Sequence, residues 1–278
     1  MLLGLHGICI LHTNVLTDIR VARDTGYDAL ELWVPKLERY LEAGHRLEDL
    51  PAALGPVQPA TVNCLQDLGH PEPKLPGELT RRCEQLCTIA NTLNCSMLQV
   101  STARALLGMP WPEIRKRIAQ PLAELADIAA PFGVRLVLEP QTFAALRTLK
   151  QALEVLETAG RDNVGLCLDT FHLWTGGTSW EEVAAIDSDL IHVVHISDVT
   201  PRKGEEWSEG RRGFGFDSDR DVLPGDGILP LKEAVAALRA TGYDGLWSIE
   251  IIGAKHWEWD PFELARELKR CTESILAG

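Results

Sequence analysis

Residues 134–169 decide the fold. They read VRLVLEP at 134–140, then an amphipathic run from Leu146 to Ala159, the stop Gly160, and NVGLCLD at 163–169. Two short Val- and Leu-rich runs, each ending in a carboxylate, flank one segment of helical period. That is a β-α-β unit, and strands joined by a helical crossover lie parallel. The same unit recurs on both sides. Further strand patterns are Leu2–Ile8, Tyr27–Leu32, Gln58–Cys64, Cys95–Ser101, Ile191–Ser197 and Gly245–Ile251, with Val134–Glu139 and Asn163–Asp169 at the centre. Helical patterns fall at Val15–Thr25, Leu47–Leu54, Gly77–Leu93, Trp111–Ala130, Leu146–Ala159, Trp180–Ala185, Leu229–Thr241 and Pro261–Leu276. Gly26, Gly133, Gly160 and Gly242 stand where helices stop. Gly-Tyr-Asp recurs at 26–28 and 242–244, each time feeding a strand. Eight strand–helix pairs in 278 residues predict an α/β fold, a single (β/α)8 TIM barrel over residues 1–278.

Composition narrows the partners. The chain carries 27 basic and 40 acidic residues, a formal net charge of −13. That balance opposes a nucleic-acid backbone or an anionic membrane surface as partner. No apolar run approaches the roughly 18 residues a membrane helix needs. The N-terminal MLLGLHGICILHTN has no basic n-region and contains His6 and His12, so it does not read as a signal peptide. The seven cysteines form no C-x-x-C, and Cys83 and Cys87 sit one helical turn apart. Reduced structural thiols and a cytoplasmic chain are the expectation. A homo-oligomer is left open, since one exposed apolar helix would suffice for it.

Barrel chemistry collects at the C-terminal ends of the strands. The last polar residues there are Glu31, Asn63, Gln99 and Ser101, Glu139, Asp169, His195 and Glu250. An ionisable residue inside an apolar run is costly unless paired or bound to metal. One strand-end carboxylate is usually a cap or an ion-pair partner. Glu139, Asp169, His195 and Glu250, at equivalent places on strands 5 to 8, are a different matter. Three carboxylates and an imidazole suit one divalent cation: Mn²⁺ first, with Zn²⁺, Mg²⁺ or Co²⁺ as alternatives. Such a set leaves positions open for a bidentate substrate.

The strings VRLVLEP with Glu139, GLCLDTFHLW with Asp169 and His172, HVVHISD with His195 and Asp198, and WSIEI with Glu250 resemble the xylose isomerase-like TIM barrels. These form the sugar phosphate isomerase/epimerase superfamily, and the resemblance spans the whole chain. GYDALEL, RDNVGLCLDTFH, HISDV and DRDVLPGDG are shared most with members that isomerise keto-inositols, which implies a role in inositol catabolism. The resemblance implies that the tetrad binds one metal and that Glu139 and Glu250 flank the substrate. There they can take and return a proton beside a carbonyl while a metal stabilises the enediolate. Which glutamate is the base stays open.

His172 resembles a substrate contact of the family. Asp198 can orient His195, bind substrate or cap a loop. Arg220 can reach a substrate hydroxyl or carboxylate from the connection Asp198–Gly227, about 30 residues long and read as a lid. Glu31 is a candidate substrate contact and His6 points from strand 1. Trp33, Trp174 and Trp257 can wall a ring or simply pack, and Lys255 reads as a solvated lysine. Many ketose 3-epimerases of the family place an arginine six residues after the metal histidine. Here that position is Pro201, followed by Arg202, which counts against a free ketohexose.

Competing activities share the core. A nuclease of this fold needs three metals and further histidines from strands 3 and 4, where this chain offers Asn63, Gln99 and Ser101. Inosose and 3-dehydroshikimate dehydratases use the same metal and enolate and lose water instead. A phosphate site would need free amides near Pro224-Gly225-Asp226-Gly227, where Asp226 makes a poor anion cradle. The expected substrate is therefore a small neutral polyhydroxy carbonyl compound, a keto-inositol or keto-sugar.

Overall fold

The computed structural model describes residues 1–71, 77–200 and 217–278. Eight parallel strands close on themselves in sequence order, β8 returning to pair with β1. They are β1 Leu2–His6, β2 Ala29–Trp33, β3 Gln58–Leu68, β4 Met97–Thr102, β5 Arg135–Leu138, β6 Val164–Asp169, β7 Ile191–Ile196 and β8 Leu246–Ile249. The expected (β/α)8 barrel is what forms. No described helix is long and apolar enough to cross a membrane.

The alternation of strand side chains builds the interior in layers. One residue from each strand meets inside the barrel as an apolar floor: Leu2, Ala29, Ala60, Met97, Val137, Cys167, Val193 and Leu246. Two residues further along six of these strands come Glu31, Gln99, Glu139, Asp169, His195 and Ser248, all buried. Glu250 follows after one more stride. The intervening residues, such as Leu30, Leu98, Leu138, Leu168, Val194 and Trp247, face outward into the core shared with the helices. A period of two thus separates an apolar outer face from an inner column that changes from apolar to ionisable.

The helices are α1 Val15–Asp24, α2 Val34–Glu42, α3 Leu50–Leu54, α4 Glu78–Thr92, α5 Trp111–Ala129, α6 Leu149–Ala159, α7 Thr170–Thr175, α8 Trp180–Ala184, α9 Leu231–Ala240 and α10 Pro261–Leu276. Two of them depart from the sequence expectation. α7 begins directly at the end of β6, because the Asp169 side chain accepts from the amides of Phe171 (2.7 Å) and His172 (3.4 Å) and so caps a new helix. α2 buries Val34, Lys36, Leu37 and Tyr40, and the lysine on that face hides its apolar period. β3 also runs on to Leu68, past the expected end at Cys64. The proline-rich connection and the proposed lid lie partly outside the described residues, as do Pro201 and Arg202 altogether. All seven cysteines are free thiols.

Lys36 explains how α2 holds its place. Its ammonium donates to the carbonyls of Gly7 and Ile10 (2.8 Å each), to Thr13 Oγ1 (2.9 Å) and to both oxygens of Asp18 (2.9 and 2.8 Å). Both ends of this ion pair are buried. It ties α1 and the turn after β1 to α2. Removing one partner of a buried pair leaves a stranded charge, so Lys36→Met should cost about 3–5 kcal/mol. The check is a lowered urea midpoint at unchanged slope; a loss below about 1 kcal/mol, typical of exposed pairs, would make the pair dispensable.

Candidate metal centre

Glu139, Asp169, His195 and Glu250 each turn one ligand atom toward a common point, all four atoms within 4.8 Å of one another. All four residues are buried. The local sequence explains each orientation. Asp169 spends Oδ1 on the cap of α7, which leaves Oδ2 facing the barrel axis. Glu139 accepts at Oε2 from Gln99 Nε2 (2.9 Å) and Gln141 Nε2 (2.6 Å). Its Oε1 has no protein partner among the described residues. His195 Nε2 lies 2.9 Å from Glu31 Oε1. Its Nδ1 therefore faces inward, 3.3 Å from Glu250 Oε2, 3.7 Å from Glu139 Oε1 and 4.0 Å from Asp169 Oδ2. That nitrogen too has no hydrogen-bond partner among the described residues.

Buried polar atoms are almost always satisfied. Two unsatisfied ones, an oxygen and a nitrogen aimed at the same point between two more carboxylate oxygens, fit a cation. The carboxylate behind the histidine ring is the usual way a metal-binding imidazole is held in one tautomer and made more basic. The residues therefore fit the divalent cation that the sequence suggests.

The titration behaviour shows the crowding. Burial pushes Asp169 up to about 7, with Glu250 and Glu139 adding to it and Arg220 opposing. Burial also works against the charge on Glu250, yet Arg220 and His195 hold that carboxyl well below the usual range. Burial alone would lower His195, but its neighbours, Cys167 first and then the carboxylates of Glu31 and Glu250, carry it well above the ordinary imidazole value. Glu31, likewise buried against its charge, is drawn down to about 2 by His195 and His6.

Arg220 joins the tetrad directly. Its Nη1 donates to Asp169 Oδ2 (2.9 Å) and Glu250 Oε2 (2.5 Å). His172 is buried against Phe143 and Phe171. Its Nδ1 accepts from the Thr142 amide (3.3 Å), which puts the ring proton on Nε2, and that nitrogen has no hydrogen-bond partner among the described residues. Burial holds this imidazole well below its ordinary value, so it is a neutral N–H donor. His6 follows the same pattern: Ile8 N donates to Nδ1 (3.0 Å), and Nε2 stands 3.7 Å from Glu250 Oε1.

Two expected substrate contacts are placed elsewhere. Glu31 has both oxygens engaged, Oε1 by His195 and Oε2 by the Thr61 hydroxyl (2.5 Å), so it acts behind the ligand and not before the substrate. Asp198 is a loop anchor. Its Oδ1 accepts from the amides of Val199 (2.7 Å) and Leu229 (3.0 Å), and Oδ2 from those of Gly225 (2.8 Å) and Gly227 (3.0 Å). A Cβ at residue 227 would stand 2.2 Å from Asp198 Oδ1, so the approach requires glycine. Trp257 is partly exposed with its ring against His12, and Lys255 is exposed.

The sequence reading missed Gln141 and Ser197. Ser197 donates to the carbonyl of Glu250 (2.6 Å) and lies 3.2 Å from Asp169 Oδ2. Gln141 stands two residues after Glu139, the stride that carries side chains to the same face, and that spacing could have flagged it. Gln99 was visible only as a polar strand end; the geometry supplies its partner Glu139, and Asn63 in turn bonds to Gln99.

With this geometry in view, the comparisons with known proteins agree. The chain is 29% identical to an inosose isomerase of Bacillus velezensis over 276 residues, covering 96% of this chain and 93% of that one. An inosose dehydratase of Lacticaseibacillus casei is 26% identical over 163 residues, 58% of this chain and 54% of its own. A crystal structure of the IolI protein with a bound zinc atom superposes with a TM-score of 0.92 at 28% identity, covering 100% of this chain and 98% of that one. The family model described as xylose isomerase-like TIM barrel matches residues 19–275, and the chain belongs to that family.

Proposed function

We propose that the protein is a divalent-metal-dependent isomerase or epimerase that moves a proton beside the carbonyl of a keto-inositol or a related keto-sugar. The observation that carries this reading is the pair of unsatisfied inward atoms, Glu139 Oε1 and His195 Nδ1, set between Asp169 and Glu250. Glu139, Asp169, His195 and Glu250 would hold the cation. When bound, it would take the substrate's carbonyl and neighbouring hydroxyl oxygens and stabilise the charge of the enediolate. The donor set favours Mn²⁺ and accepts Zn²⁺, Mg²⁺ or Co²⁺. The inosose isomerase relatives support the substrate class, and free thiols on all seven cysteines fit a reducing, cytoplasmic setting.

The chain's own groups supply the rest. Glu139 and Glu250 come from strands on different sides of the barrel and serve as proton acceptor and donor. The orphaned His172 Nε2–H donates to a substrate oxygen, and Arg220 lies close enough to neutralise charge beside Glu250. Glu31 fixes His195. The amides of Gly225 and Gly227, which could have cradled a phosphate, are consumed by Asp198. That leaves a neutral polyol as the better fit. The dehydratase relatives keep one alternative in view, in which the same enolate expels a β-hydroxyl.

One experiment separates these. The Mn²⁺-loaded protein is incubated with 2-keto-myo-inositol in deuterium oxide and followed by proton NMR. Deuterium entering beside the carbonyl, with an isomeric ketone appearing, is expected. Loss of water to a diketone would move the protein to the dehydratases, and no exchange would remove inosose as substrate. Glu250→Gln should fold normally and lose about 10²- to 10⁴-fold in kcat; undiminished turnover would rule out its acid/base role. Glu31→Gln should weaken metal affinity about 10- to 100-fold by removing the charge behind His195, measured by titration calorimetry against a competing chelator.

A further inference from the structure

The residue after Arg220 faces a different partner. Residues Asp217–Arg220 form a short helical turn, and the carbonyl of Asp219 accepts from the Thr200 amide (2.7 Å). Arg220 runs inward to Asp169 and Glu250. Asp221 turns to the loop that follows β8. Its Oδ2 accepts from the Lys255 amide (2.7 Å), and its Oδ1 lies 2.8 Å from Nδ1 of the buried His256. The fit is close on the other side as well. A Cβ at residue 253 would stand 2.1 Å from both Cβ and Cγ of Asp221. Gly253 is in extended backbone that any residue can adopt, so contact and not conformation demands glycine there.

These contacts join two segments of the site. One carries Arg220; the other follows Glu250 by three to six residues. We propose that Asp221 is a positioning residue that latches the first segment to the second and so sets the Arg220 guanidinium on Asp169 and Glu250. The sequence gives no hint of this, since the three partners lie 32 to 35 positions away. The inference rests on the metal reading of the tetrad, because its consequence is read through the metal. Arg220 donates to the same two carboxylate oxygens that face His195 Nδ1. A guanidinium there competes with and repels a divalent cation. Its presence lowers metal affinity, and a latch that keeps it there does the same.

The test uses the metal-free full chain and titrates Zn²⁺ and Mn²⁺ by calorimetry against a chelator. Arg220→Gln should bind at least about tenfold tighter than wild type, a shift of roughly 1.4 kcal/mol. Asp221→Ala and Gly253→Ala, which break the latch from opposite sides, should each tighten binding in the same direction. The double variant Arg220→Gln/Asp221→Ala should match Arg220→Gln alone, because the latch acts only through the arginine. Wild-type affinity in both latch variants, or an additive double variant, would overturn the proposal. Hydrogen exchange judges the latch without metal. Asp221→Ala and Gly253→Ala should deprotect the Lys255 amide together with the segment around Arg220, and Arg220→Gln should leave Lys255 protected. Unchanged exchange at Lys255 in both latch variants would overturn the latch itself. A wild-type chain that binds neither ion while the exchange result holds would instead remove the metal reading and the consequence drawn from it.

Discussion

Three carboxylates meet at the end of a closed barrel, away from solvent, and they cannot all stay ionised without positive charge among them. Everything above the apolar floor is arranged around this constraint. Arg220 supplies one compensating charge to Asp169 and Glu250. His195 faces all three carboxylates, and Glu31 stands behind it. Within the tetrad, Glu139 Oε1 and His195 Nδ1 have no hydrogen-bond partner among the described residues. With Glu31 the buried carboxylates number four against one guanidinium, so a dication placed between them would offset negative charge that Arg220 leaves uncompensated. The uncompensated charge and the unpartnered atoms lie at the same point, and both fit a cation there.

The connection after β7 serves the same end. Asp198 follows His195 by three residues, and its carboxylate takes four backbone amides, three of them from residues 225–229. Four neutral amides fill both of its oxygens, so it pins the connection in place without a cationic side chain as partner. It also removes from use the amides best placed to bind an anion. One side chain therefore both anchors the return of the connection and, in the proposed function, suits the mouth to a neutral polyol.

Most of the fold was legible because it follows from a period of two. The inner column shifts from Ala29 to Glu31, from Val137 to Glu139, from Cys167 to Asp169 and from Val193 to His195, and these ionisable strand ends can be read off the sequence directly. The convergence of Glu139, Asp169, His195 and Glu250 was legible for the same reason. What was not legible depends on distant partners. Lys36 sits on the buried face of α2, and only the fold reveals that Asp18 and three oxygens from the turn after β1 receive it. Asp198 is three residues from His195, which reads as a contact to the site. Its acceptors are filled from about 30 residues downstream, and no local pattern encodes that. Glu31, expected as a substrate contact, lies behind His195 with both oxygens engaged, since sequence spacing gives the face of a strand and not the depth of an oxygen.

The tautomers of His6 and His172 bear on which reaction the site favours. In both rings a backbone amide donates to Nδ1, so the proton resides on Nε2. Each is therefore a neutral donor, able to hold an oxygen but poorly suited to deliver a proton to a departing hydroxyl. Expelling water from a β-carbon requires an acid at that oxygen. The groups disposed to carry a mobile proton are the carboxylates. Of these, Asp169 is occupied by its helix cap and by Arg220. Arg220 also takes Glu250 Oε2, but Glu250 keeps Oε1 and Glu139 keeps Oε1, and two carboxylates that follow different strands are what moving a proton off one carbon and onto its neighbour requires. In the proposed chemistry the imidazoles bind, the carboxylates transfer, and reprotonation of carbon is the outcome for which this arrangement has the necessary groups.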